Sequence, residues 1–178
     1  MSRSPFTYSV VFALGAAAAL LVGAPLLAPT FGERAAVRFL LVGAVVAHAA
    51  LLAPSRSRGA RAAALAAGLG ALVLALPLGV RATALACAAL VGVCRSGILF
   101  RARPARTALI EGLLLGGGLA IAAFLAGPWL ARLALAVWGF WLVQSAFFAV
   151  GGIGPRPEES RNNDPFERAR AQVLALLD

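Results

Sequence analysis

Apolar residues fall along this chain in long blocks rather than in alternation with polar ones. Six blocks stand out: Tyr8–Ala28, Ala36–Ala53, Ala62–Val80, Ala82–Phe100, Thr107–Ala126 and Trp129–Val150. Each holds about 18–22 residues, enough to cross a hydrocarbon core of roughly 30 Å as an α-helix. The third and fourth nearly touch, but Pro77, Gly79 and Arg81 in "LPLGVR" (76–81) break them apart. The pattern predicts an all-α, polytopic membrane protein, with six transmembrane helices in three antiparallel hairpins over residues 1–150. Arg3 ahead of the first block and Gly23–Ala24 near its end resemble a secretory signal, yet Pro25 follows the would-be cleavage site and the apolar run continues to Ala28. A retained first span is expected.

Beyond Val150 the pattern changes. "GGIGPRPEESRNN" (151–163) reads as a flexible polar linker. "DPFERARAQVLALLD" (164–178) then opens with Asp164, Pro165 and Glu167 in the order of a capped helix start. Phe166, Ala169, Val173, Leu176 and Leu177 fall on one face, which predicts an amphipathic cytoplasmic helix seeking a protein surface. The balanced charge of the tail disfavours an anionic bilayer as that surface.

Composition agrees with the threading: 61% of residues are hydrophobic and 13% charged, far from the roughly 45–50% and 25% of a soluble domain. A net charge of +9 would suit nucleic acid in a soluble protein. Here the arginines sit in short turns between apolar blocks, so the expected partner is the lipid bilayer and not nucleic acid. Arg56, Arg58 and Arg61 follow the second block, and Arg101, Arg103 and Arg106 follow the fourth. Against them stand Arg34 and Arg38 beside Glu33, then Arg81 and Arg132. The imbalance predicts a bacterial-type inner membrane protein with both termini cytoplasmic. Gly32, Gly79 and Gly127 mark the three opposite turns at a spacing close to constant, a weak internal repeat. Trp129 and Tyr8 read as interfacial anchors.

Among the polar residues inside the blocks, His48, Arg95, Glu111 and Gln144 carry functional suspicion. Counted from the nearer cytoplasmic end, all four lie about 8–10 Å deep, in one layer. Arg95 cannot end its helix, because residues 82–94 cover only about 20 Å. Its stem could snorkel to the headgroups, or its guanidinium could pair with Glu111, which the hairpin through "RARPAR" (101–106) brings to matching depth. His48 is either a packing residue or a titrating group. Trp138, Trp141, Gln144 and Phe148 form one stripe, readable as a small-molecule pocket or as an aromatic ridge in which Gln144 serves an indole N–H.

No catalytic motif, metal cluster or nucleotide-binding loop is present in the sequence, and neither a cofactor nor enzymatic activity is expected. Cys87 and Cys94 lie two helical turns apart, too far to bond, and read as buried thiols. "CRSGI" (94–98) is similar to the Cys-Ser-Gly stretch of exosortase-type transpeptidases over five residues, but it carries an inserted arginine and no histidine follows. "GAAAALLVG" (15–23), "AAALAAGLG" (62–70) and "GLLLGGGLA" (112–120) offer small-residue faces for close helix packing. The first functional reading is therefore a non-enzymatic subunit or assembly component of a membrane complex, docking through such faces and the tail. A second follows from size and topology: six spans in about 180 residues resemble the substrate-binding components of energy-coupling-factor transporters. That resemblance implies a small-solute transport component with Ala62 and Ala66 on its docking face. An intramembrane enzyme ranks third.

Overall fold

The computed structural model describes residues 5–51, 56–95 and 104–149. Six helices follow one another: α1 (Pro5–Phe31), α2 (Glu33–Leu51), α3 (Arg56–Ala75), α4 (Val80–Gly92), α5 (Pro104–Leu125) and α6 (Leu130–Ala149). No strand occurs among the described residues. Four helical segments are long and apolar enough to cross a membrane: Phe6–Phe31, Glu33–Leu51, Ser57–Ala75 and Leu130–Phe148. α5 contributes a shorter apolar stretch, Leu109–Leu125, and α4 has 13 residues before its geometry changes. The linker and tail helix expected over 151–178 lie outside the described residues, and with them Phe166, Ala169, Val173, Leu176 and Leu177.

The turns explain why the helices stop where they do. α1 and α2 are joined by Gly32 alone, at φ +81°, a left-handed conformation that a β-carbon resists. Its N–H donates to Ala28 and its carbonyl accepts from Ala36, so both helix ends are satisfied in one residue. Gly23 and Leu40 then face each other across the hairpin. α3 ends at Ala75 rather than near Val80, where its apolar block ends. Pro77 has no N–H to continue the ladder and disfavours helical geometry in the residue before it. Of the three turn glycines, only Gly32 has positive φ among the described residues, so the repeat in spacing is not a repeat in conformation.

α1 packs along α2 and, most extensively, along α6, while α5 lies on α6 and α3 on α2. α4 rests mainly on α2, with thin contacts to α3 and α5. α1 with α2 and α5 with α6 are thus intimate pairs, whereas α3 and α4 hardly touch. Buried small residues explain why α3 prefers α2. Gly59, Ala62, Ala66 and Gly70 are buried at three-four spacing, and a β-carbon on Gly70 would run into Val42. Ala62 and Ala66 are fully enclosed within the chain. The docking face assigned to them on the transporter resemblance is therefore corrected, because their stripe binds α2.

Candidate functional site

The end of the bundle opposite the three glycine turns holds its buried charges. α4 widens into a π turn at Val93–Arg95, a geometry that shifts the side chains after it relative to a regular helix and recurs at functional positions. Arg95 is 1% exposed and Gln144 fully buried. The Arg95 Nε donates to both Glu111 oxygens at 3.0 and 3.2 Å, and Nη2 donates to Glu111 Oε1 at 2.8 Å. Nη2 also reaches Gln144 Oε1 at 2.9 Å, and Nη1 reaches the Gln144 carbonyl at 3.4 Å. The guanidinium lies 4.5 Å from the Phe147 ring centroid, in cation–π range. Gln144 completes the network by donating its amide to the Leu114 carbonyl at 2.8 Å.

Three of the four polar residues singled out in the sequence are thus one cluster, drawn from α4, α5 and α6. Glu111 holds Arg95 as a fork, the pairing that best satisfies a guanidinium where lipid offers nothing. Gln144 is not the acceptor for an indole N–H. Its oxygen is taken by Arg95, and Trp138 Nε1 has no partner among the described residues. His48 stands apart from the cluster, with no hydrogen bond to it among the described residues. Its ring centroid stands 4.5 Å from Trp141 and 5.3 Å from Phe12, which itself meets Trp141 edge-on at 5.0 Å. His48 Nδ1 is buried without a partner among the described residues. The imidazole therefore sits in an aromatic nest joining α1, α2 and α6.

Beside this cluster, Cys94 lies within weak hydrogen-bond range of the Ala62 carbonyl, 3.8 Å from sulfur to oxygen. Cys87 and Cys94 are both free and buried. Among the described residues no group of His, Cys, Asp and Glu is placed to hold a metal ion.

A cleft of about 1030 Å³ occupies the other half of the bundle, between α2, α4, α5 and α6. Its walls are apolar and mostly small, with Ala84, Ala88, Ala120 and Ala123 among them, and Trp141 lines it. Of the α6 stripe expected to line a pocket, Trp141 lines this cleft, whereas Trp138, Gln144 and Phe148 do not. Arg81 is the only charged side chain among the described lining residues. Arg132 lies across Gly127, another lining residue, with its guanidinium carbon 3.2 Å from where a β-carbon would stand.

Arg38 is a functional-looking residue that the sequence pattern did not single out. It donates to the carbonyls of Val73, Leu74 and Leu76 at 2.7, 3.0 and 2.7 Å, and its Nε to Thr83 Oγ1 at 3.1 Å. Val73 and Leu74 belong to the last turn of α3, whose carbonyls lack helical partners, and a cation there also meets the negative end of the helix dipole. The signal was present: Arg38 falls inside the second apolar block, as Arg95 falls inside the fourth. Its place beside Glu33 and Arg34 makes it read as an orientation charge instead. Comparison with protein-family models, curated proteins and solved structures gives no match to this chain.

Proposed function

We propose that the chain is a six-span inner-membrane protein with cytoplasmic termini, working as a non-enzymatic subunit or assembly component of a membrane complex. The outward face of α3 carries this reading. Ala60, Ala64, Ala67, Gly68, Ala71 and Ala75 are all exposed there, and nothing stands within 4 Å of where a Gly68 β-carbon would be. Small residues on a membrane helix permit close backbone approach, the main source of helix association where lipid removes the hydrophobic drive. α3 packs firmly on α2 only, leaving this second small-residue face open to another helix.

The clamp supports the non-enzymatic side of the reading. The Glu111 carboxylate and the Gln144 amide are engaged with Arg95 and the backbone, so neither is poised for acid–base work. For six spans, α5 is long enough at 22 residues, about 33 Å. α4 with its π turn runs from Val80 to Arg95, and the apolar block to which it belongs continues in the sequence to Phe100.

Photo-crosslinking tests the docking face. A photoreactive residue at Gly68 should give one discrete adduct in cells, absent when it stands at the also exposed Phe124 of α5. Ala64→Ile should abolish that adduct without changing the amount of folded protein. Equal diffuse crosslinking from both sites, or none from Gly68, would contradict the docking role.

A further inference from the structure

We infer that the cleft between α4 and α5 seats one acyl chain of an anionic phospholipid, drawn from the leaflet at the glycine-turn end. The seam between these helices is open on that half and shut on the other. Their mutual contact is thin, and the fork between Arg95 and Glu111 closes its far end. The cleft is accordingly half a bilayer deep. Its lining runs from Val80 to Ala88 on α4 and from Leu133 to Trp141 on α6, about 12 Å of helix against a leaflet of about 15 Å.

That depth decides between occupants. A partner's transmembrane helix needs a groove along the whole bundle, whereas an acyl chain enters from one leaflet and stops at a floor. In helix order, Trp141 on α6, Val45 on α2, Ala88 on α4 and Leu119 on α5 are the last lining residues in the direction of the clamp, and the floor is assigned to them. The walls offer methyl and methylene groups, and Leu85, 58% exposed, stands on the α4 side where lipid can enter. The volume of about 1030 Å³ lies at the upper end of the roughly 300–1,000 Å³ of small-molecule sites.

Charge selects the headgroup. Arg81 lines the cleft near its mouth and Arg132 drapes over Gly127 at the same end. Both side chains are exposed, and no ion pair to either occurs among the described residues. An apolar slot of leaflet depth with two arginines at its mouth complements a chain that ends in a phosphate diester without a compensating cation.

The test uses the full chain in nanodiscs holding equal amounts of phosphatidylglycerol and phosphatidylcholine, released gently and weighed by native mass spectrometry. One phosphatidylglycerol should be retained in preference. Arg81→Gln and Arg132→Gln should each lower that preference about fivefold. Both changes lie on the surface and leave the packing intact. Ala123→Trp, which fills the cleft, should remove the retained lipid. Equal retention of the two lipids, or retention unchanged by Ala123→Trp at unaltered folding, would overturn the assignment.

Discussion

At the scale of single residues, Arg95 shows what a charge inside an apolar helix requires. Its depth and its carboxylate neighbour were legible because helix rise and a short hairpin suffice to place residues 95 and 111 side by side. The contribution of Gln144 was not. Its link to Arg95 depends on how α6 is rotated against α4, which no periodicity reports, and the π turn at Val93–Arg95 adds a local shift of its own. The clamp also constrains Gly92. A β-carbon there would stand 2.9 Å from Leu115 Cδ1 and 3.3 Å from Glu111 Oε1. Gly92→Ala should therefore cost about 1–3 kcal/mol through overpacking, read as a lowered thermal midpoint in detergent. An unchanged midpoint would mean that α4 and α5 can separate at no cost.

At the scale of elements, helix existence was readable and helix ends were not. The blocks located six helices to within a few residues, yet α3 stops at Ala75 because Pro77 and the Arg38 cap act together. An arginine from another helix capping those carbonyls is a long-range fact, invisible to a local pattern. Arg38→Gln should leave the α2–α3 packing in place but release the α3 C-terminus, at about 1.5–3 kcal/mol for charged hydrogen bonds when buried and less here, where they are partly exposed. Hydrogen exchange should rise selectively at Leu76 and Leu78, whose amides bond to Leu72 and Leu76 within this segment. Faster exchange spread evenly along α3 would argue against a local cap. α3 also shows how one helix can present two small-residue stripes. Sequence composition marked the helix as suited to close packing, but only the structure separates Ala62 and Ala66, turned inward, from Ala64 and Gly68, turned outward.

At the scale of the whole molecule, the helices form a chain of neighbours from α4 through α2, α1 and α6 to α5, and the α4–α5 seam is where that circle has to close. The clamp closes it at one end and the cleft leaves it open at the other. Threading predicts that Ser57 and Gly79 lie on opposite sides of the membrane. In a background lacking Cys87 and Cys94, a membrane-impermeant maleimide should label Gly79→Cys in intact cells and Ser57→Cys only after lysis. Labelling of both from one side would refute the topology.

The buried Arg95 is held by its carboxylate partner Glu111, and that pair closes the bundle between α4 and α5. A double-mutant cycle on unfolding free energy in mixed micelles tests it most directly. Glu111→Gln alone should cost about 3–5 kcal/mol, because it leaves Arg95 buried without its counter-charge. Adding Arg95→Gln should recover part of that loss, with a coupling energy of at least about 1 kcal/mol. Losses that add to within about 0.5 kcal/mol would show that the two side chains act independently, and the clamp would have to be abandoned.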